Sequence, residues 1–530
     1  MNSPVLARAL DHHRRGELGA AERGYAAVLR AAPEDYAARF SLGVLKAQQG
    51  HVDAAIDHLG KAVRLRPDVA AGWLNLGALL GAAGRFAEAL DAYRRAAALL
   101  PDDPQAHRAL AAALLDAGRV EESLAVFDRV LTLAPGDLEA LKARGSLLWS
   151  LGRPEEALAA LDSALERAPH DVETLNNHGN VLRDLRRPED AIASYDRALA
   201  LRPGSAEIHN NRGVALAETR DRPAALTAYD RALALDPSLA DAWNNRGLAL
   251  HEAGEIAPAL ACYGRAIARK PDFVAALNNR GKALCEDWRV AEAFASFMQS
   301  ARIAFGDTLV IDGGERLAGA AIDPGNAVAA ECAWLAADPH NVVIDGLLTP
   351  PALAGLQRFC WGSAIWRRAY AAGYRGAFPE TGFACPLLAQ VAEEMQASFP
   401  RIFAAHRLRY LWAFRYDQSG TGTHVHADDA AINVNFWITP DAANLDPDSG
   451  GLIFWDRCAP ADWGFADYND DADGAMAFLA ETRANRVKTV YRENRAVIFD
   501  SGLFHATDAF RFKPGDRNRR INVTMLFGRR

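Results

Sequence analysis

His426 and Asp428 stand two apart in Gly420-Thr-Gly-Thr-His-Val-His-Ala-Asp428, and His505 follows in Phe499-Asp-Ser-Gly-Leu-Phe-His505. In an extended segment residues i and i+2 point the same way, so His426 and Asp428 can reach one ion. His505 must then arrive from a separate strand. Two imidazoles and one carboxylate on one face of a metal leave the remaining positions open for small molecules. The pair alone is a weak signal, because a chain with 14 His is expected to hold about one His-x-Asp by chance.

The surroundings are more specific. Tyr416 precedes a Gly-rich turn, Asp417–Gly422, that leads into the His stretch; a Gly450-Gly451 strand, a Val-Ile-Phe-Asp run ahead of His505, and Arg520-x-Asn-x-Thr follow. Together they resemble the 2-oxoglutarate-dependent dioxygenase superfamily, and most nearly its prolyl-hydroxylase-like members. The resemblance covers about residues 340–530. It implies a double-stranded β-helix (jelly-roll) core, Fe(II) held by His426, Asp428 and His505, 2-oxoglutarate as co-substrate, and O2. His424 shares a strand face with His426 in this reading, so a cupin-like His-x-His pair is the competing metal site.

The far carboxylate of such a co-substrate needs a fixed cation, and Arg offers a planar fork for it. Arg511, Arg517, Arg519 and Arg520 compete. Alternation decides for Arg520: Ile521, Val523, Met525 and Phe527 form the apolar set with Arg519, while Arg520, Asn522 and Thr524 line the interior. Arg520 lies further past His505 than is usual in the family, which implies an insertion around 510–518. Tyr416 either adds a hydroxyl to the same carboxylate or packs.

These residues need strands to hold them, and from Arg409 on the pattern turns to period two. Tyr410, Trp412, Phe414 and Tyr416 share one face. Ile432, Val434, Phe436 and Ile438 alternate with Asn433, Asn435 and Trp437. Residues 450–455, 495–499 and 520–527 give further strands. Ahead of them, 341–345 reads as a strand and Thr349-Pro350-Pro351 as a capped helix start. Another helix is expected over 386–399. The region reads as α+β.

The first three hundred residues are built differently. Proline recurs at 33, 67, 101, 135, 169, 203, 237 and 271, a step of 34. Gly recurs on the same step from Gly43 to Gly281, with Ala111 in one slot. Ala recurs from Ala21 to Ala293, with Ser123 in one slot. The pattern resembles the tetratricopeptide repeat and implies an all-α superhelix over residues 1–305, in about nine units, whose concave face binds a protein or peptide. Residues 306–339 read as a capping or linker segment before the 340–530 domain. Asn75, Asn177, Asn211, Asn245 and Asn279 each lie two before the repeat Gly. They resemble the asparagine ladder of O-linked N-acetylglucosamine transferase, where the implied role is to hold an extended backbone. Carboxamides suit that task, and they equally suit bridging between neighbouring repeats.

Composition sets outer limits. The chain has 530 residues, too many for one core, and a net charge of -8. With no basic stripe, no nucleic-acid partner is expected. The six cysteines, at 262, 285, 332, 360, 385 and 458, show no zinc spacing. No leader and no apolar run of about 18–20 residues stand out, so a cytoplasmic protein with no membrane partner is expected. The expected function is Fe(II)- and 2-oxoglutarate-dependent hydroxylation of a protein or peptide held by the repeat arm. Two alternatives stand beside it: a repeat scaffold with a silent oxygenase-like domain, and a small-molecule hydroxylase of a biosynthetic pathway.

Overall fold

The computed structural model describes residues 4–370, 373–460, 462–469 and 471–529. Contacts divide the chain into two compact units, Met1–Ala228 and Tyr229–Arg530.

Paired helices run from Pro4–Arg14 to Val290–Phe305. The 34-residue period fixes how each pair closes. At Gly179 an added Cβ would sit 2.5 Å from the Tyr195 ring, and at Gly281 2.6 Å from Phe297, so only glycine allows this approach. The repeat alanines Ala191 and Ala259 are fully buried. Each repeat proline stands just past a helix end, and several of their carbonyls accept side-chain hydrogen bonds. The Trp73 indole donates to the Pro67 carbonyl at 3.0 Å, and Trp243 does the same to Pro237.

Twelve strands follow among the described residues: β1 Asn341–Asp345, β2 Arg368–Tyr370, β3 Tyr374–Ala377, β4 Leu408–Tyr416, β5 Ser419–Gly420, β6 Ile432–Trp437, β7 Leu452–Cys458, β8 Arg486–Thr489, β9 Arg495–Asp500, β10 Leu503–Thr507, β11 Phe510–Arg511 and β12 Ile521–Phe527. They form a seven-stranded sheet in the order β1-β9-β6-β12-β4-β3-β2, a three-stranded sheet β10-β7-β8 and a two-stranded sheet β11-β5. Backbone bonding does not join these sheets into a closed barrel. The region is β-rich with open sheets, a coarser description than the jelly-roll core that the resemblance implies.

One face of the large sheet, through Ile432, Val434, Phe436, Val523 and Met525, packs on Leu356 and Phe359 of helix Pro350–Gly362 and on Leu388 and Met395 of helix Pro386–Ser398. Phe294 and Phe297 of the last repeat helix join the same core, each contributing about 2–3 kcal/mol of burial. That shared core is why the second unit begins at Tyr229, inside the repeats, although the repeat helices themselves end at Phe305. The other face of the sheet carries Tyr416, Trp437 and Phe499, which meet Leu452, Phe454 and Leu503 of the small sheet. The candidate site lies on this second face.

Two local expectations change. Thr349 precedes its helix but makes no side-chain cap; its hydroxyl donates to the Ala320 carbonyl at 2.8 Å instead. The insertion expected over 510–518 contains β11 and a short 3-10 turn, Asp516–Asn518.

Candidate metal centre

His426 and His505 are held by each other's backbone. The His426 N–H donates to the His505 carbonyl at 3.0 Å, and the His505 N–H donates back at 2.8 Å. Two residues on, the Asp428 N–H donates to the Ser501 carbonyl at 3.1 Å. The segment 426–428 therefore runs along 501–505 as an irregular edge, not as a ladder strand. Gly422 makes this approach possible. Its φ is +94°, and a Cβ there would meet the Thr507 carbonyl oxygen at 2.0 Å. Thr423 accepts the Thr507 N–H at 2.8 Å and ties the two segments together.

Both imidazoles are fixed at one nitrogen. His426 Nδ1 lies 3.0 Å from the His424 carbonyl, and His505 Nδ1 lies 3.0 Å from the Leu503 carbonyl. A carbonyl only accepts, so each Nδ1 carries a proton, and Nε2 is the nitrogen left to face an ion. One ligand atom from each of His426, Asp428 and His505 falls within 4.8 Å of the others. The Asp428 carboxylate is 3.4 Å from His505 Nε2 and accepts from Asn433 Nδ2 at 2.5 Å.

The electrostatics suit ligation. Burial, with the nearby His505, holds His426 down to a pKa of about 4, so the ring is neutral near pH 7. Burial pushes Asp428 up, but the hydrogen bond and charge of His505, the charge of His426 and the Asn433 amide outweigh it and hold the carboxyl below the usual range. Two imidazoles and an ionised carboxylate are the donor set of a divalent transition metal, and ligands bonded at about 2.0–2.2 Å stand roughly this far apart. The residues fit such an ion.

His424 does not join them. The stretch 421–425 is irregular, so the two histidines do not share a strand face. His424 is exposed, and its Nε2 donates to the Asn469 carbonyl at 3.2 Å.

Of the four competing arginines only Arg520 is inside, at 1% exposure. Arg511 and Arg517 are exposed, and Arg519 pairs with Asp417 at 3.1 Å and Asp516 at 3.2 Å. Arg520 makes no ion pair among the described residues, and the Asp508 carboxylate acts on it only through its charge. Its Nε donates to the Gly450 carbonyl at 2.6 Å, its guanidinium carbon lies 4.7 Å from the Tyr416 ring centroid, and its Nη1 is buried without a partner. Burial pulls its pKa below the usual guanidinium value. Tyr416 is buried, with its hydroxyl 3.4 Å from Thr507 Oγ1. Trp437 Nε1 and Asn522 Oδ1 are also buried and unpartnered; strand alternation places Asn522 in the interior and Trp437 on the face of Asn433 and Asn435 without revealing this.

A cavity of about 60 Å³ touches His426, Asp428 and His505 on one side and Tyr416, Asn522 and Thr524 on the other. A larger cleft of about 560 Å³ opens over His426 and Asp428. It is lined by Tyr370, Tyr374, Phe378, Tyr410, Trp412 and Phe414. The β2–β3 part of this lining is too short to register as strands in the sequence.

The asparagines of the repeats lie elsewhere. Asn75 donates to its own helix, at the Ala71 carbonyl. Asn211 donates to Asn176 Oδ1 at 3.1 Å and Asn279 to Asn244 Oδ1 at 3.0 Å. Asn177 and Asn245 are half-buried. At Asn211 and Asn279 the carboxamide bridges neighbouring repeats.

Comparison with known proteins gives one family. Its model, the tetratricopeptide repeat, matches overlapping windows from residue 6 to 240, and a second model of that repeat matches 240–273. Among solved structures, MamA is 31% identical over 30% of this chain and 94% of its own, with a TM-score of 0.28. YrrB, described as a TPR protein with an unusual peptide-binding site, is 25% identical over 36% of this chain and 97% of its own, with a TM-score of 0.31. A tetratricopeptide repeat protein from Parabacteroides merdae is 16% identical over 46% and 97%, with a TM-score of 0.34. No curated protein matches the chain.

Proposed function

This chain belongs to the tetratricopeptide-repeat family over residues 6–273, and from that premise we propose that its β-rich region is an Fe(II)- and 2-oxoglutarate-dependent dioxygenase acting on a polypeptide presented by the repeats. The region is read as a variant of the double-stranded β-helix whose two facing sheets stay separate. The observation that carries the reading is a conjunction in one interior. A cavity lined by His426, Asp428 and His505 also touches Tyr416, whose ring lies against the guanidinium of Arg520, where Nη1 is buried without a partner.

Each residue has a task in this reading. His426, Asp428 and His505 hold the iron through the two Nε2 atoms and the carboxylate. Arg520 binds the far carboxylate of the ketoacid; a buried cation without a counter-ion is costly, and an anionic ligand removes that cost. Tyr416 packs on the guanidinium and keeps its plane fixed. When bound, iron, ketoacid and O2 would supply the oxidising chemistry: one oxygen atom of O2 would end in the succinate formed as the ketoacid loses CO2, and the other in the C–OH that replaces a substrate C–H. The aromatic cleft admits the substrate beside His426 and Asp428 and shields the site from bulk water.

The substrate class rests on the repeats, because stacked helix pairs present extended concave surfaces to partners. The test is succinate release by the full-length protein with Fe(II), 2-oxoglutarate and peptides trapped by an Asp428→Ala variant. Turnover that survives His426→Ala and Asp428→Ala would falsify the assignment. Hydroxylation of a small molecule but of no trapped peptide would retain the chemistry and overturn the polypeptide substrate.

A further inference from the structure

Strand β6 is bonded on both sides, to β9 and β12, and all six of its residues are buried. Yet two of them are Asn433 and Asn435, at 0% and 4% exposure. Asparagine is a poor strand former, and a buried carboxamide costs free energy unless its hydrogen bonds are made. Here they are made in one direction. Asn433 Nδ2 donates to Asp428 Oδ2 at 2.5 Å. Asn435 Nδ2 donates to Asn433 Oδ1 at 2.5 Å. Across the strand pair, Asn522 Nδ2 donates to Asn435 Oδ1 at 2.7 Å, and the Thr524 hydroxyl donates to the same oxygen at 2.8 Å.

The polarity of this chain follows from its end. An ionised carboxylate only accepts, so Asn433 must turn its NH2 to Asp428 and its oxygen to Asn435. The same requirement then passes to Asn435 and to Asn522. The far end returns to the site: Asn435, Asn522 and Thr524 line the cavity that Asp428 lines, and Asn522 Oδ1 is left buried without a partner. An aspartate needs such a lock, because the torsion that turns its carboxylate plane is broad and roughly two-fold.

We propose that Asn433, Asn435 and Asn522 act in series as positioning residues that set the plane of the Asp428 carboxylate for a divalent metal. The inference rests on the metal-site reading above. Asn433 is in direct contact with the ligand, and Asn435 and Asn522 act only through it. None of the three is a ligand.

Mn(II) binding to the full-length protein tests this without turnover. Isotherms are measured for the wild type, Asn433→Leu, Asn435→Leu and the double variant, with near-UV circular dichroism to confirm folding. Removing a group that orients a ligand weakens metal binding by about 10–100-fold, and Asn433→Leu is expected in that range. Elements in series do not add, so the double variant is expected to bind no more weakly than Asn433→Leu alone. Independent packing defects would instead multiply. The Co(II) visible spectrum of Asn433→Leu is expected to shift, which a distant packing defect would not cause. Should Asn433→Leu fail to fold, Asn522→Ala at the cavity end replaces it, with a smaller loss of affinity expected. Wild-type affinity in Asn433→Leu, or a multiplicative double variant, overturns the series. A wild type that takes up no Mn(II) overturns the metal reading as well, so the two failures are told apart.

Discussion

The imidazoles of His426 and His505 lie with ring centroids 4.4 Å apart because the two residues exchange both backbone hydrogen bonds. Side-chain convergence is thus set by a two-residue bridge and not by the regular ladder of either sheet. The bridge depends on Gly422, which brings its own segment against Thr507 at a φ that L-residues rarely adopt.

Gly422→Ala therefore reports on the metal site although residue 422 is not a ligand. The methyl group cannot fit 2.0 Å from the Thr507 carbonyl oxygen, and the segment 421–426 must move away. The expected outcome is a loss of Mn(II) affinity of at least about tenfold, with the helical circular dichroism of the repeats unchanged. An isotherm that matches the wild type would show that the approach of these segments is not needed.

Much of this architecture was legible in the chain itself. Period 34 gave the repeats because each small residue meets a large one across its helix pair, as Gly179 meets Tyr195. Period two turned Arg520, Asn522 and Thr524 inward, and all three are buried. What was not legible depends on contacts far apart in sequence. The burial of Phe294 with Phe359 and Phe383 draws the last repeats into the second unit. The open edges of the sheets follow from which strands find partners, and alternation does not encode that. His424 followed the strand rule on paper and left it in the fold, because Gly422 breaks the extended run before it.

Metal-free protein is expected to lose stability as pH falls from about 6.5 towards 4. His426 takes a proton near its ordinary value of 6.5 in the unfolded chain and near 4 in the folded one. Between those values the unfolded state binds more protons, so the free energy of unfolding rises with pH through this window. The contribution is at most about 3 kcal/mol. Asp428, held below its ordinary range, acts in the same direction at lower pH. Thermal unfolding at pH 7 and pH 4.5 measures the drop, and His426→Gln is expected to shrink it. An equal drop in the variant would place the proton uptake elsewhere.

Asn279→Ala is expected to destabilise the second unit by about 1 kcal/mol, the loss of one hydrogen bond between repeats. Urea unfolding measures it. If the asparagines serve mainly to bridge neighbours, partner capture by the full chain falls only as far as stability does. A variant with wild-type stability that no longer holds trapped peptides would assign Asn279 to the ligand instead.

Arg520 offers the sharpest separation of function from stability. Its guanidinium is buried, and it makes no ion pair among the described residues, with Asp508 acting on it only through its charge. Replacing a buried, poorly compensated charge with an apolar side chain of similar length is often neutral or stabilising. Arg520→Met is therefore expected to melt at or above the wild-type temperature. The same change removes the charge-assisted fork for a carboxylate, worth about 2–3 kcal/mol, so 2-oxoglutarate affinity is expected to fall by about 30–160-fold while Mn(II) affinity stays near wild type. Calorimetry with each ligand in turn checks both halves. A destabilised Arg520→Met that still binds 2-oxoglutarate would make the guanidinium a structural tie to Gly450 and Gly451, and the anion would have to be held by another group.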